Sequence, residues 1–344
     1  MTQAVTASQA PLRLGVSLSN ETPVADTIAL AVEAEKLGFD EIWLPESSHG
    51  RGLFTVAAQL AANTERAGIG IGIVNPFWRH PSVIAMEAAT LDEATGGRLK
   101  LGLGAALWTL RALGEADSRT ERPIAAMTEA IEIVRAMVAG GPQPAPAIYT
   151  VRSDVHLDFP LVRPRVPIYV GAVNARMLQL SGALADGVEL GAITSPGYTS
   201  WAWAHVAEGA RSAGRDPASL DLVSNVLISV DHDARTARDA TRHVLAYYLH
   251  RVEGVVVEHS GADPDQVRRI RQAVLSAGVA AGADAVTDDL IDVFAAAGDP
   301  DHVAARLAEF VASGLRGLLA WYVFGPDPLD GLALLASEVA PQLW

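Results

Sequence analysis

Two short stretches gather residues that could do chemistry. In "PESSHG" a carboxylate, two hydroxyls and an imidazole, Glu46, Ser47, Ser48 and His49, occupy four consecutive positions. Such groups hydrogen-bond a polar ring edge or move a proton. The same composition also describes an ordinary solvated loop. In "GAVNAR", Gly171 and Ala172 keep the chain small ahead of a helix that begins near Asn174, whose free N–H groups would face an anion. Thr194 and Ser195 add hydroxyls that either donate to the same anion or cap the helix opened by Pro196. The nine histidines are scattered, with no pair at ligand spacing beside a carboxylate, so no metal is expected. The chain has no cysteine, which excludes thiolate nucleophiles and disulfides; redox chemistry would have to come from a bound organic cofactor.

The elements that must position these residues follow from periodicity. Leu12–Leu18 reads as a strand, "PVADTIALAVEAEKLGF" as a helix stopped by Gly38, and "EIWLPE" as a second strand. The alternation continues through "GIGIGIV" and "RLKLGLG", "PIYVGAV", "GVELGAI", "DLVSNVLISV" and "GLLAWYVF", eight strands with helices between them. Strand one is not followed by a Gly-rich phosphate turn, so the reading is a (β/α)8 TIM barrel rather than an open doubly wound sheet. The expected domain runs 12–344 behind a disordered leader at 1–11. A β-hairpin excursion is expected at about 142–166, and a helical insertion at about 233–297. Trp201 and Trp203, two apart on a helix, cannot share a face, so one belongs to the core and the other to a lid or interface.

In a barrel the chemistry sits at the C-terminal ends of the strands. On the third strand Ile69, Ile71 and Ile73 share one face while Gly70 and Gly72 share the other; Leu99, Leu101 and Leu103 oppose Gly102 and Gly104 on the fourth. The apolar faces should meet the helices, which turns the glycines inward. The vacated space suits a planar ligand, or else eases close packing or a sharp bend.

The net charge of −14 and the absence of basic runs argue against nucleic acid. No apolar run reaches the roughly 18–20 residues of a membrane span, and the N-terminus lacks a secretory signal. A cytoplasmic enzyme acting on a small molecule is the expectation.

Four stretches carry a likeness: "GFDEIWLPES", "GIGIVNPFWRHPSVIAMEAATLDEATGGRLKLGLG", "PIYVGAVNARMLQLSGALADGV" and "DAVTDDLIDVFAAAGDPDHV". In order, from about Leu12 to Val339, the chain resembles the bacterial luciferase-like superfamily, and within it the methylenetetrahydromethanopterin reductase branch. The resemblance implies a homodimer or homotetramer that binds coenzyme F420, a deazaflavin, or alternatively FMN. It implies a cis peptide between Gly72 and Ile73 with Ile73 behind the ring, and cofactor contacts along Gly72, Ile73, Val74 and Asn75 and at Gly104 and Ala105. Glu46 would lie at the polar edge of the ring, with His49 or Glu46 handling a proton. The phosphate would rest on Gly171, Ala172, Val173, Asn174, Ala175 and Arg176, assisted by Thr194. Three positions depart from the family pattern. Ser17 stands where relatives carry a glutamate, Ser47 where they carry a histidine, and Ala105-Ala106-Leu107-Trp108 where an acid often occurs. These departures imply an apolar, acid-poor pocket and a substrate outside the well-known ones. Three readings follow: an F420-dependent hydride-transferring oxidoreductase, an FMN-dependent reductase or monooxygenase, and a flavin-binding barrel without turnover.

Overall fold

The computed structural model of the chain describes residues 11–47, 49–107, 110, 114 and 121–343. Residues 1–10 of the expected leader, together with Ser48 and Trp108, lie outside the described residues. Nine strands share one parallel sheet: β1 Arg13–Ser17, β2 Glu41–Leu44, β3 Gly68–Val74, β4 Leu99–Gly104, β5 Ile168–Gly171, β6 Gly187–Leu190, β7 Asp221–Val230, β8 Ala295–Gly298 and β9 Gly317–Phe324. β1 pairs with both β2 and β9, and β6 pairs with β7, so eight of the strands close into a barrel with helices between successive strands. β7 spans ten residues: its first half lies on β6, and its last four residues lie on β8, outside the ring of eight. β8 is a strand the sequence did not announce, because "AAAG" has neither alternation nor β-branched residues.

The helical insertion stands, with helices Ala234–Leu249, Gly254–Ser260, Pro264–Ala277, Val279–Asp284 and Asp288–Phe294 ahead of β8. The expected hairpin at 142–166 does not. That segment carries no strand, because Pro142, Pro144, Pro146, Pro160 and Pro164 remove ladder donors. Side chains hold it instead: the Glu129 carboxylate accepts from Ala147 N and Ile148 N at 2.9 and 2.6 Å, and Arg163 clasps Asp92. Among the described residues no helix is long and apolar enough to cross a membrane.

The barrel interior is built in tiers. At the strands' N-terminal ends Arg13 pairs with Glu41 and Asp221, each at 2.5 Å, and Lys100 pairs with Glu41. Tyr169 Oη donates to Asp221 at 2.6 Å, and Trp43 Nε1 to Glu41 at 2.7 Å. Above them Trp43, Tyr169, Val223 and Leu319 form a separate apolar cluster, with the two rings edge to face at 5.3 Å. Rings of this size fit only because the facing strands are bare: a Cβ on Gly70 would lie 2.1 Å from the Trp43 ring, and one on Gly187 2.3 Å from Tyr169. The vacated faces read from the sequence do point inward. The chain's own rings fill their lower part, so any ligand must sit higher, at the mouth.

Candidate active site

At the top of β3 the ladder to β4 shifts between Ile71 and Val74, and the Gly72–Ile73 peptide is cis, as the resemblance implied. Ile69 and Ile71 remain on the helix-facing side, buried with Leu99 and Leu101, whereas Ile73 leaves the face assigned to it from alternation and turns inward. It lies across two bare positions: a Cβ on Gly104 would meet Ile73 Cδ1 at 2.6 Å, and one on Gly171 would meet its Cγ2 at 2.9 Å. Val74 pairs in register with Leu103 and packs in the main core, so its side chain lies away from the mouth. At the exit of β6 a Cβ on Gly191 would meet nothing within 4 Å among the described residues.

Glu46 leaves β2 toward this mouth, and both oxygens of its carboxylate are engaged by the protein. Oε2 accepts from Asn75 N and Trp78 Nε1, both at 3.0 Å, and Oε1 from Arg79 Nη1 at 2.6 Å. Its side chain is 9% exposed, and the Arg79 guanidinium also reaches Glu87 Oε2 at 3.1 Å. A carboxylate that takes three donors, one of them charged, ties the loops that carry those donors together. Asn75 is a brace as well: Nδ2 donates to Ala105 O at 2.9 Å and Oδ1 accepts from Phe77 N at 2.8 Å, tying the exits of β3 and β4 together. Its polar atoms are directed at the protein rather than at a ligand. His49 is exposed on the following loop, its N–H directed at Ser47 Oγ at 3.4 Å.

After β5, Ala172 N donates to Glu189 O, and Asn174 caps the helix Ala175–Leu184 without a side-chain bond. Among the described residues no acceptor meets the N–H groups of Val173, Asn174, Ala175 or Arg176. Four donors at a helix N-terminus form a cradle suited to an anion. Thr194 stands behind this cradle rather than in it: it is 1% exposed and its hydroxyl is bonded to Thr199 Oγ1 at 3.1 Å. Ser195 caps the next helix by accepting from Tyr198 N, and Tyr198 Oη donates to Val173 O at 2.8 Å, which fixes the cradle loop. On that helix Trp203 is buried while Trp201 stacks on His259 at 4.6 Å, the division expected from their spacing.

The sequence reading missed an acid in the barrel. Glu189, on β6, is 4% exposed; its Oε1 accepts from Asn225 Nδ2 at 3.0 Å, and its Oε2 finds no partner among the described residues. Burial pushes this carboxyl up to about 8, and the Asn225 bond offsets only part of that. This acid lies within the barrel interior, sealed from solvent, and not among the three exit positions where the chain departs from the family pattern. The available signal was a glutamate two residues after inward Gly187 in a strand otherwise apolar, but its isolation depends on neighbours from β3 and β7. Among the described residues no group of three or more metal-ligating side chains converges.

These features suit a flat ring carrying a negative tail: an apolar wall at Ile73, open space at Gly191, and unpaired N–H donors beyond Gly171. The luciferase-like monooxygenase family model matches residues 7–317. The chain is similar to the 5,10-methylenetetrahydromethanopterin reductase of Archaeoglobus fulgidus, 32% identical over 90% of this chain and 93% of the relative. It is also similar to the F420-dependent glucose-6-phosphate dehydrogenase of Microbacterium testaceum, 29% identical over 97% and 98% of the two chains. The solved F420-dependent tetrahydromethanopterin reductase of Methanopyrus kandleri superposes with a TM-score of 0.85 at 27% identity, covering 97% of this chain and all of the other. The chain belongs to the luciferase-like family of oxidoreductases.

Proposed function

We propose that this protein is a coenzyme F420-dependent oxidoreductase that transfers a hydride between the deazaflavin and an unsaturated or carbonyl small molecule. The observation that carries this reading is Ile73, turned inward over Gly104 and Gly171 between the barrel floor and the unpaired N–H groups of Val173 to Arg176. Relatives spanning nearly the whole chain are named as F420-dependent enzymes, which favours the deazaflavin over FMN. When bound, the deazaflavin supplies the hydride chemistry at its C5.

The residues of the chain divide the remaining work. Ile73 backs one face of the ring, leaving the opposite face to the substrate and setting the approach of the two reacting centres. The N–H groups from Val173 to Arg176 hold the phosphate of the tail, with exposed Arg176 adding positive charge at the rim. Glu46, braced by Asn75, Trp78 and Arg79, keeps the β2 and β3 exits in one arrangement beside the ring. His49 remains the candidate to exchange a proton with a substrate at the rim. From the same resemblance we propose a homodimer or homotetramer; sedimentation as a monomer at every concentration would overturn that part.

The test is a titration of apoprotein with F420 and with FMN, read by cofactor fluorescence, together with the spectrum of any cofactor released on purification. Micromolar F420 binding is expected. Binding of FMN alone overturns the deazaflavin reading, and binding of neither overturns the cofactor class.

A further inference from the structure

We propose that Glu189 is a positioning residue for the ring wall: its carboxyl, held by Asn225, fills the space left by Gly72 and props the β3 bulge that carries Ile73. A Cβ placed on Gly72 would lie 2.6 Å from Glu189 Oε1 and 2.7 Å from Oε2, so the carboxylic group lies flat against that backbone where other residues would put a side chain. The next residue of β3 is Ile73, and its contacts with Gly104 and Gly171 close the same tier. β6 is hydrogen-bonded to β5, with Glu189 opposite Gly171 in the register. One side chain therefore underlies both supports of the wall. Neither Glu189 Oε2 nor Asn225 Oδ1 has a partner among the described residues, and both are sealed from solvent. They act through the backbone and not by touching a ligand.

This prop works as a neutral acid. Asn225 from β7 faces it with an amide, β3 and β5 face it with Gly72 and Gly171, and Val223 stands opposite it in the β6–β7 register. The charged groups of the interior, Arg13, Glu41, Lys100 and Asp221, lie lower, at the strands' N-terminal ends, and pair with one another there. Tyr169, the other titratable group of the interior, donates its hydroxyl to Asp221. Among the described residues no cation faces Glu189, so burial disfavours its ionised form and pushes the carboxyl up to about 8. An ionised Glu189 has to draw water into the tier beneath Gly72, and the bulge carrying Ile73 moves with it.

The part of the proposal that concerns cofactor affinity rests on the F420 reading; the contact between Glu189 and the wall does not. Two measurements keep them apart. The first follows the Ile73 δ-methyl resonance of cofactor-free protein between about pH 6.5 and about pH 9.5. In the wild type it should shift with a midpoint near pH 8, and in Glu189→Gln the shift should be absent. A signal that does not move, or that moves equally in Glu189→Gln, overturns the proposal whatever the protein binds. The second is the F420 dissociation constant over the same range. It should rise about tenfold toward high pH in the wild type, stay level in Glu189→Gln, and be raised about tenfold already near neutral pH in Glu189→Ala, where the prop is missing. Equal affinity in all three proteins at every pH overturns the positioning role. If the methyl shift is present and no protein binds F420, the cofactor reading fails and the prop stands.

Discussion

The carboxylate of Glu46 takes donors from Asn75, Trp78 and Arg79 at once, and that accounting decides what the residue can do. Both oxygens are engaged by donors of the neighbouring exits, so the residue holds loops. Glu46→Gln should remove the ion pair with Arg79 and leave a buried donor unmatched, at a cost of about 1–3 kcal/mol in urea unfolding. An unchanged urea midpoint would remove the bracing role. The glycines are separated by the same kind of reasoning. Gly70→Ala drives a methyl into the Trp43 ring and should cost about 1–3 kcal/mol through overpacking. Gly191→Ala faces open space and should stay within about 0.5 kcal/mol of wild type in the same assay.

The strand exits work as pairs. Asn75 joins β3 to β4 by bonding Ala105 O and Phe77 N, and Tyr149 Oη adds a bond to Pro76 O from the proline-rich loop. Asn75→Ala should strand the Phe77 N–H and the Ala105 carbonyl in a closed environment, costing about 1–3 kcal/mol and weakening cofactor binding together with stability. Loss of F420 affinity with stability untouched would instead return Asn75 to direct contact with the cofactor. The β5 exit has a different logic: the cradle is backbone, so side chains there tune it from outside. Arg176→Glu should weaken F420 binding, more at low salt than at high salt, because an exposed charge acts through a screened field. Salt-independent weakening would argue against that electrostatic role.

Across the molecule, the two ends of the barrel respond to pH in opposite directions. Burial raises Asp221, but Arg13, Lys100 and Tyr169 more than compensate and hold it below the ordinary carboxylate range. A depressed acid contributes stability that is present above its unfolded value, near 3.9, and is lost as pH falls through the folded value. Glu189 is raised, so the folded state binds the extra proton, and stability drops as pH climbs from its unfolded value toward about 8. Asp221→Asn should therefore be less stable than wild type at neutral pH, with the gap closing in acid. Glu189→Gln should match wild type in mild acid and gain on it by at most about 1.4 kcal/mol per pH unit up to about pH 8. Urea unfolding at several pH values reads both, and gaps independent of pH would contradict both assignments.

The sequence by itself determined the alternation of strand and helix, the barrel, the inward glycines and the cradle after β5, because each depends on local periodicity or on the chemistry of adjacent residues. It also carried enough ordered likeness to imply the family. Only the tertiary structure decided what occupies the space beside each glycine, because that occupant comes from another strand: Trp43 beside Gly70, Glu189 beside Gly72, Ile73 beside Gly104 and Gly171. Alternation put Ile73 on the helix side, and a register shift between Ile71 and Val74 turned it inward. Glu46 and Asn75 were found by position at the mouth, yet their roles follow from hydrogen-bond partners distant in the chain. The upward push on the Glu189 carboxyl was beyond any local pattern, since it depends on which neighbours exclude water and supply no charge.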